Sequence, residues 1–140
     1  MRFLRGDWSV RRLITDRRAG LDGIFTGKAT FRPEDDKTLA YAEEGELRYG
    51  AHRGPATRRL TYRADGDMLD VRFADGRPFY RLDLRDATWD AEHPCGEDLY
   101  TVAGRITGPD EFTELWHAGG PAKDYDLATT YTRVTAGPRP

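Results

Sequence analysis

Apolar and polar residues alternate with a period of two along most of this chain, and that pattern commits it to strands before any other feature is weighed. In 8–16, Trp8, Val10, Arg12 and Ile14 share one parity, against Ser9, Arg11, Leu13 and Thr15. In 23–31, Phe25, Gly27, Ala29 and Phe31 fall together, and in 39–49 so do Leu39, Tyr41, Glu43, Gly45 and Leu47. Further runs at 57–64, 68–74, 78–84, 98–107, 111–118 and 124–135 bring the expectation to about nine. Turn chemistry separates them. Asp65-Gly66 and Asp75-Gly76 suit tight hairpins, and Arg18-Ala19-Gly20 and Gly108-Pro109-Asp110 supply further reversals. Turns recur every 10–15 residues, which suits adjacent antiparallel strands and leaves no room for crossover helices. Two longer connections are expected, 49–56 and 85–97, the second holding Trp89 and His93-Pro94-Cys95. Arg2–Arg5 is the one stretch read as a helical turn.

A long open meander exposes two edges, and closing it on itself removes them. The expected fold is therefore all-β, a single antiparallel up-and-down barrel of about nine or ten strands over residues 1–135, with 136–140 as a flexible tail. At 140 residues the chain suits one domain. Its single cysteine, Cys95, excludes an internal disulfide framework and a multi-cysteine zinc site. The 22 basic residues are matched by 24 acidic ones, and Arg11-Arg12, Arg17-Arg18 and Arg58-Arg59 each have acids nearby, so no nucleic-acid footprint is expected. No apolar run approaches the roughly 18 residues of a membrane helix. The start Met1-Arg2-Phe3-Leu4-Arg5 lacks a secretory apolar stretch. The expectation is a cytoplasmic protein with no membrane partner.

Gly6-Asp7-Trp8, preceded by Phe3-Leu4 and followed by an alternating strand, resembles the Gly-x-Trp opening of lipocalins and related calycin barrels. In those barrels the tryptophan closes the floor and a basic residue of the last strand packs over it. Here Arg133 fits that part, which implies structural roles for Trp8 and Arg133. Glu43-Glu44-Gly45, Phe73-Ala74-Asp75-Gly76-Arg77-Pro78-Phe79, His93-Pro94-Cys95-Gly96 with Asp98 and Tyr100, and Gly120-Pro121 with Lys123-Asp124-Tyr125 extend the resemblance. Together they are similar to an uncharacterised family of short bacterial proteins, a domain of unknown function regarded as lipocalin-like. That implies a calycin-type barrel and no settled activity. A more distant similarity to nitrobindin-like barrels implies haem held by a histidine. No haem motif matches, and His117 has the opposite parity to Trp116, so no cofactor is expected and haem stands as an alternative.

If Trp8 points inward, parity carries Arg12, Tyr41, Glu43, Asp98, Tyr100, Glu114, Trp116, Tyr125 and Tyr131 inward with it. Two readings stay open. One is an Arg–carboxylate network inside a filled barrel, because buried charges must be paired. The other is a pocket whose convergent polar groups orient a small ligand. Gly27, Ala29 and Gly45 either leave space for that ligand or mark strand bending. His93 and Cys95 flank Pro94 and add two chemically capable side chains, too few by themselves for a metal site. Lys123 anchors a ligand anion or caps a solvated hairpin, and Trp89 is a lid or packs its loop down.

The expected ligand-binding set is thus Arg12, Tyr41, Glu43, His93, Cys95, Asp98, Tyr100, Trp116, Lys123, Tyr125 and Tyr131, with no metal site. The function it points to is binding a small, partly apolar or aromatic molecule inside the barrel. One alternative is a barrel enzyme performing acid–base isomerisation or cyclisation, with catalytic candidates Glu43, His93, Asp98 and Tyr100. Another is a filled barrel acting as an interaction module in a homodimer.

Overall fold

The computed structural model describes residues 1–134, so the expected tail at 136–140 lies outside the described residues. Ten strands follow one another: β1 (Gly6–Asp16), β2 (Leu21–Pro33), β3 (Thr38–Tyr49), β4 (His52–Asp65), β5 (Met68–Phe73), β6 (Pro78–Leu82), β7 (Thr88–Cys95), β8 (Asp98–Gly108), β9 (Glu111–Gly120) and β10 (Lys123–Arg133). They form one antiparallel sheet in the order β6-β5-β4-β3-β2-β1-β10-β9-β8-β7. The sheet curls into a nearly closed barrel, with β6 and β7 meeting at a seam that has no backbone ladder. Among the described residues there is no helix, and Arg2–Leu4 is a turn closed by Leu4 N–H donating to the Met1 carbonyl.

Both long connections expected from sequence are corrected. Most of 85–97 is β7, paired with β8 from Thr88↔Arg105 to Cys95↔Asp98. Pro94 obscured it, yet proline is tolerated where a strand forms an edge, as β7 does at the seam. In 49–56 only Gly50 and Ala51 turn, and β4 starts at His52. Pro55 pairs with Glu46 on β3, beyond the stretch of β4 that β5 covers, so its missing N–H interrupts no second ladder.

The inward parity of β1 buries Trp8, Val10 and Arg12. Trp8 faces Ala29 on β2 and Arg133 on β10, and its Nε1 donates to the Leu4 carbonyl at 2.8 Å. Arg133 lies over the indole, its guanidinium carbon 4.3 Å from the ring, a cation–π contact worth about 0.5–2 kcal/mol. It donates to Asp110, to the Arg5 carbonyl and to the Phe3 carbonyl. These contacts close one end of the barrel. Gly27 and Gly45 face each other across β2 and β3. A Cβ on either would stand 2.2 Å from a carbonyl oxygen of the other strand. The two backbones touch, so these glycines serve strand bending rather than cavity space.

Candidate functional site

Midway up the barrel the inward residues are charged. Cross-strand register sets Glu43 on β3 opposite Arg58 on β4, and Arg12 reaches the same carboxylate from β1. Arg12 clamps Glu43 through two hydrogen bonds of 2.8 Å, and its Nε donates to Thr129 at 2.9 Å. Tyr41 donates to Glu43, and Tyr131 lies 3.3 Å from the Tyr41 hydroxyl. Burial alone would raise the Glu43 pKa, but the Arg12 hydrogen bonds and the Arg58 charge hold it below the usual glutamate range. Burial with its charged surroundings pushes the Tyr41 phenol well above the ordinary tyrosine value.

Glu114 on β9 is buried differently. Its Oε2 accepts from Tyr80 of β6 at 2.9 Å and from Trp89 of β7 at 3.1 Å. Both edge strands of the seam are thereby tied to one carboxyl group. Burial raises the Glu114 pKa, and these two donors offset only part of that. Trp89 is therefore an inward residue of β7 rather than a lid. Its indole fills the place a side chain would take at Gly104, where a Cβ would stand 1.8 Å from the ring.

Above this layer the barrel opens into a cavity of about 330 Å³. Phe73, Phe79, His93, Tyr100, Trp116 and Tyr125 line its wall, with Ala118, Leu127, Cys95, Arg58 and Arg77. Phe79 stacks on Trp116 at 4.9 Å and on Phe73 at 4.5 Å, and its ring meets His93 across the seam at 5.5 Å. Phe79 reaches the interior beside Tyr80 because the β5–β6 register shifts: Val71 pairs with Tyr80 and Arg72 with Pro78, leaving Phe79 as the extra residue of a bulge. A larger groove of about 730 Å³ lies on the outer face of β4 and β5, but polar and charged residues such as Lys37, Arg63, Asp65 and Arg72 line much of it, and it is open to solvent.

Of the residues singled out in the sequence, His93, Cys95, Tyr100, Trp116 and Tyr125 meet at the cavity wall. Arg12, Tyr41, Glu43 and Tyr131 sit in the network beneath it. Asp98 and Lys123 stand at the rim, outside the lining: Lys123 is 3.1 Å from Asp98 and donates to the Tyr100 hydroxyl at 2.6 Å. Burial and a hydrogen bond with Tyr100 push Tyr125 up to about 12. His117 lies on the outer face, its Nδ1 2.7 Å from Asp126. Among the described residues no three histidine, cysteine or carboxylate side chains converge on a metal-binding arrangement.

Sequence reasoning missed Arg58, Phe73, Arg77, Phe79 and Ala118 as cavity residues, and it turned Leu127 inward by parity without placing it in the binding set. Arg58 had a signal, since it shares the parity of the buried Leu60 and Tyr62. Instead Arg58-Arg59 was read as charge answered by nearby acids. Arg58 is answered by Glu43, but only at a distance. Its one ion-pair contact is to Glu43 at 3.6 Å, and its enclosed Nε has no acceptor among the described residues.

Comparison with known proteins gives a family and a fold. The model of a family of unknown function, DUF6314, matches residues 4–133. No curated protein matches the chain. Among solved structures, an S-type phycobiliprotein lyase from Guillardia theta superposes with a TM-score of 0.64 at 10% identity, covering 96% of this chain and 90% of that one. A DUF3598 protein of unknown function from Nostoc punctiforme gives 0.67 at 14% identity, over 95% of this chain and 48% of that one. A redesigned β-barrel bound to DFHBI gives 0.52 at 17% identity, over 94% and 99%. At these identities the likeness shows a shared barrel fold, one that also occurs in a ligand-binding barrel.

Proposed function

The chain belongs to the DUF6314 family, a family of unknown function, and we propose from the geometry of its cavity that it binds a small, flat, partly apolar or aromatic molecule inside the open end of the barrel. The observation that carries this reading is the aromatic wall around a preformed space of about 330 Å³. Ligand pockets span roughly 300–1,000 Å³ and are mostly apolar with a few fixed polar groups. A space at the small end of that range suits one or two fused rings, so the reading includes no haem. Binding is favoured over turnover because the two carboxylates read as bases are both engaged. Glu43 is clamped by Arg12 and Asp98 pairs with Lys123, and neither lines the cavity. A barrel of similar fold solved bound to DFHBI supports the reading.

The test is titration with prodan, an uncharged naphthalene dye whose emission rises in apolar surroundings. One saturable site is expected in the wild-type protein. Ala118→Phe, which places a ring in the cavity from a buried wall position, is expected to abolish it while a cooperative unfolding transition is retained. Absence of saturable binding, or equal binding by a folded Ala118→Phe variant, would overturn the reading. A Soret band in the purified protein would restore the haem alternative.

A further inference from the structure

We propose that the cavity selects aromatic ligands carrying a negative charge, of the aryl carboxylate class, and that the Arg58 guanidinium receives that charge. This rests on the reading of the cavity as an aromatic-ligand site and deepens it. The first ground is the imbalance of buried charge. Two arginines, Arg12 and Arg58, face one glutamate, Glu43, whose two oxygens are both taken by Arg12 at 2.8 Å. Arg58 stands off at 3.6 Å, and no hydrogen bond to its side chain occurs among the described residues. The remaining interior carboxyl, Glu114, is held by Tyr80 and Trp89 rather than by an arginine.

The second ground is direction. A third of the Arg58 side-chain surface is open (33%), and Arg58 lines the cavity. The third is the lining itself, which includes Arg58, Arg77 and His93 and no aspartate or glutamate. Lys123, the other cation near the mouth, is already held by Asp98 and Tyr100. Arg77 bonds Asp75 and lies over Phe73, at the rim rather than in the interior. A guanidinium matches a carboxylate through two parallel N–H···O bonds, and such charge-assisted bonds strengthen where water is excluded. A ring against Phe79 and Trp116 with its carboxylate toward Arg58 would satisfy the apolar wall and give Arg58 the hydrogen-bonded partner that its 3.6 Å contact with Glu43 does not.

The experiment compares naphthoate with naphthamide, which share a ring and nearly a shape and differ in charge. Both are titrated calorimetrically into the wild-type protein, Arg58→Met and Arg58→Lys. The wild-type protein is expected to bind the acid about 10-fold or more tightly than the amide, the yield of one charge-assisted contact. Arg58→Met should erase that preference, weakening the acid by about 10-fold or more and the amide by less. Arg58→Lys, which keeps the charge and loses the fork, should retain part of it, and it serves if Arg58→Met fails to fold. Equal affinity for acid and amide in the wild-type protein would overturn this inference and leave the aromatic-ligand reading standing. A preference that survives intact in folded Arg58→Met would do the same. Failure of both probes to bind the wild-type protein would overturn the aromatic-ligand reading and this inference with it.

Discussion

At the closed end of the barrel Arg133 finds three acceptors and an indole face; toward the open end Arg58 finds, among the described residues, no hydrogen-bond acceptor and a single distant carboxylate. Both are arginines on the inward parity of a strand, and both are surrounded by aromatic rings. The difference is in what completes them. Arg133 is completed by the chain itself, through the Phe3 and Arg5 carbonyls and the Asp110 carboxylate. Arg58 competes with Arg12 for Glu43 and loses, because the Arg12 fork reaches both carboxylate oxygens. Buried polar groups are nearly always satisfied, so the contrast between the two arginines calls for an explanation, and the proposed ligand carboxylate supplies one for Arg58.

The largest expected effect lies at the closed end. Trp8→Ala removes a fully buried ring with its hydrogen bond and its arginine contact, and should cost about 3–5 kcal/mol in chemical denaturation. A loss below about 1 kcal/mol would show that the floor is not the keystone this comparison makes it. The two competing arginines come next. Arg12→Met leaves Glu43 with the Tyr41 hydrogen bond and the 3.6 Å Arg58 contact and should cost about 3 kcal/mol, whereas Arg58→Met should stay within about 1 kcal/mol of the wild-type protein. Equal losses would mean that Arg58 is as structural as Arg12.

The smallest effect separates the two buried glutamates by pH. The folded-state pKa of Glu43 is lowered, so its contribution to stability is present above the unfolded pKa and is lost as pH falls through the folded one. That of Glu114 is raised, so its contribution is present below the unfolded pKa and is lost as pH rises through the folded one. Glu114→Gln, which keeps an acceptor for Tyr80 and Trp89, should therefore gain stability relative to the wild-type protein as pH rises from about 4 to about 8. Glu43→Gln should instead lose stability relative to the wild-type protein as pH rises from about 2 to about 5. Parallel pH profiles for the two variants would remove the distinction between a clamped and a merely buried carboxyl.

Much of the barrel was legible because period-two alternation is a local property, written in each strand separately. Gly6-Asp7-Trp8 and Arg133 were matched through the resemblance to lipocalin barrels, and the register pairs Trp8 with Arg133. β7 escaped because an edge strand tolerates proline and carries polar residues on its free side. The wall was half legible. Parity alone turns Tyr100, Trp116 and Tyr125 inward, and all three line the cavity. Phe79 was hidden by a bulge that breaks the alternation on which parity depends.

The sequence by itself determined the strand class, the direction of most side chains and the antiparallel succession, because each follows from residues within a few positions of one another. Only the tertiary structure decided which of two arginines keeps Glu43, which strands meet at the seam, and that Trp89 lies against Gly104 inside the barrel. Those outcomes depend on register and closure across strands far apart in the chain. A lone strand shows that Arg58 faces inward; only the assembled barrel shows that, among the described residues, its charge is left without a hydrogen-bonded partner at the edge of a cavity.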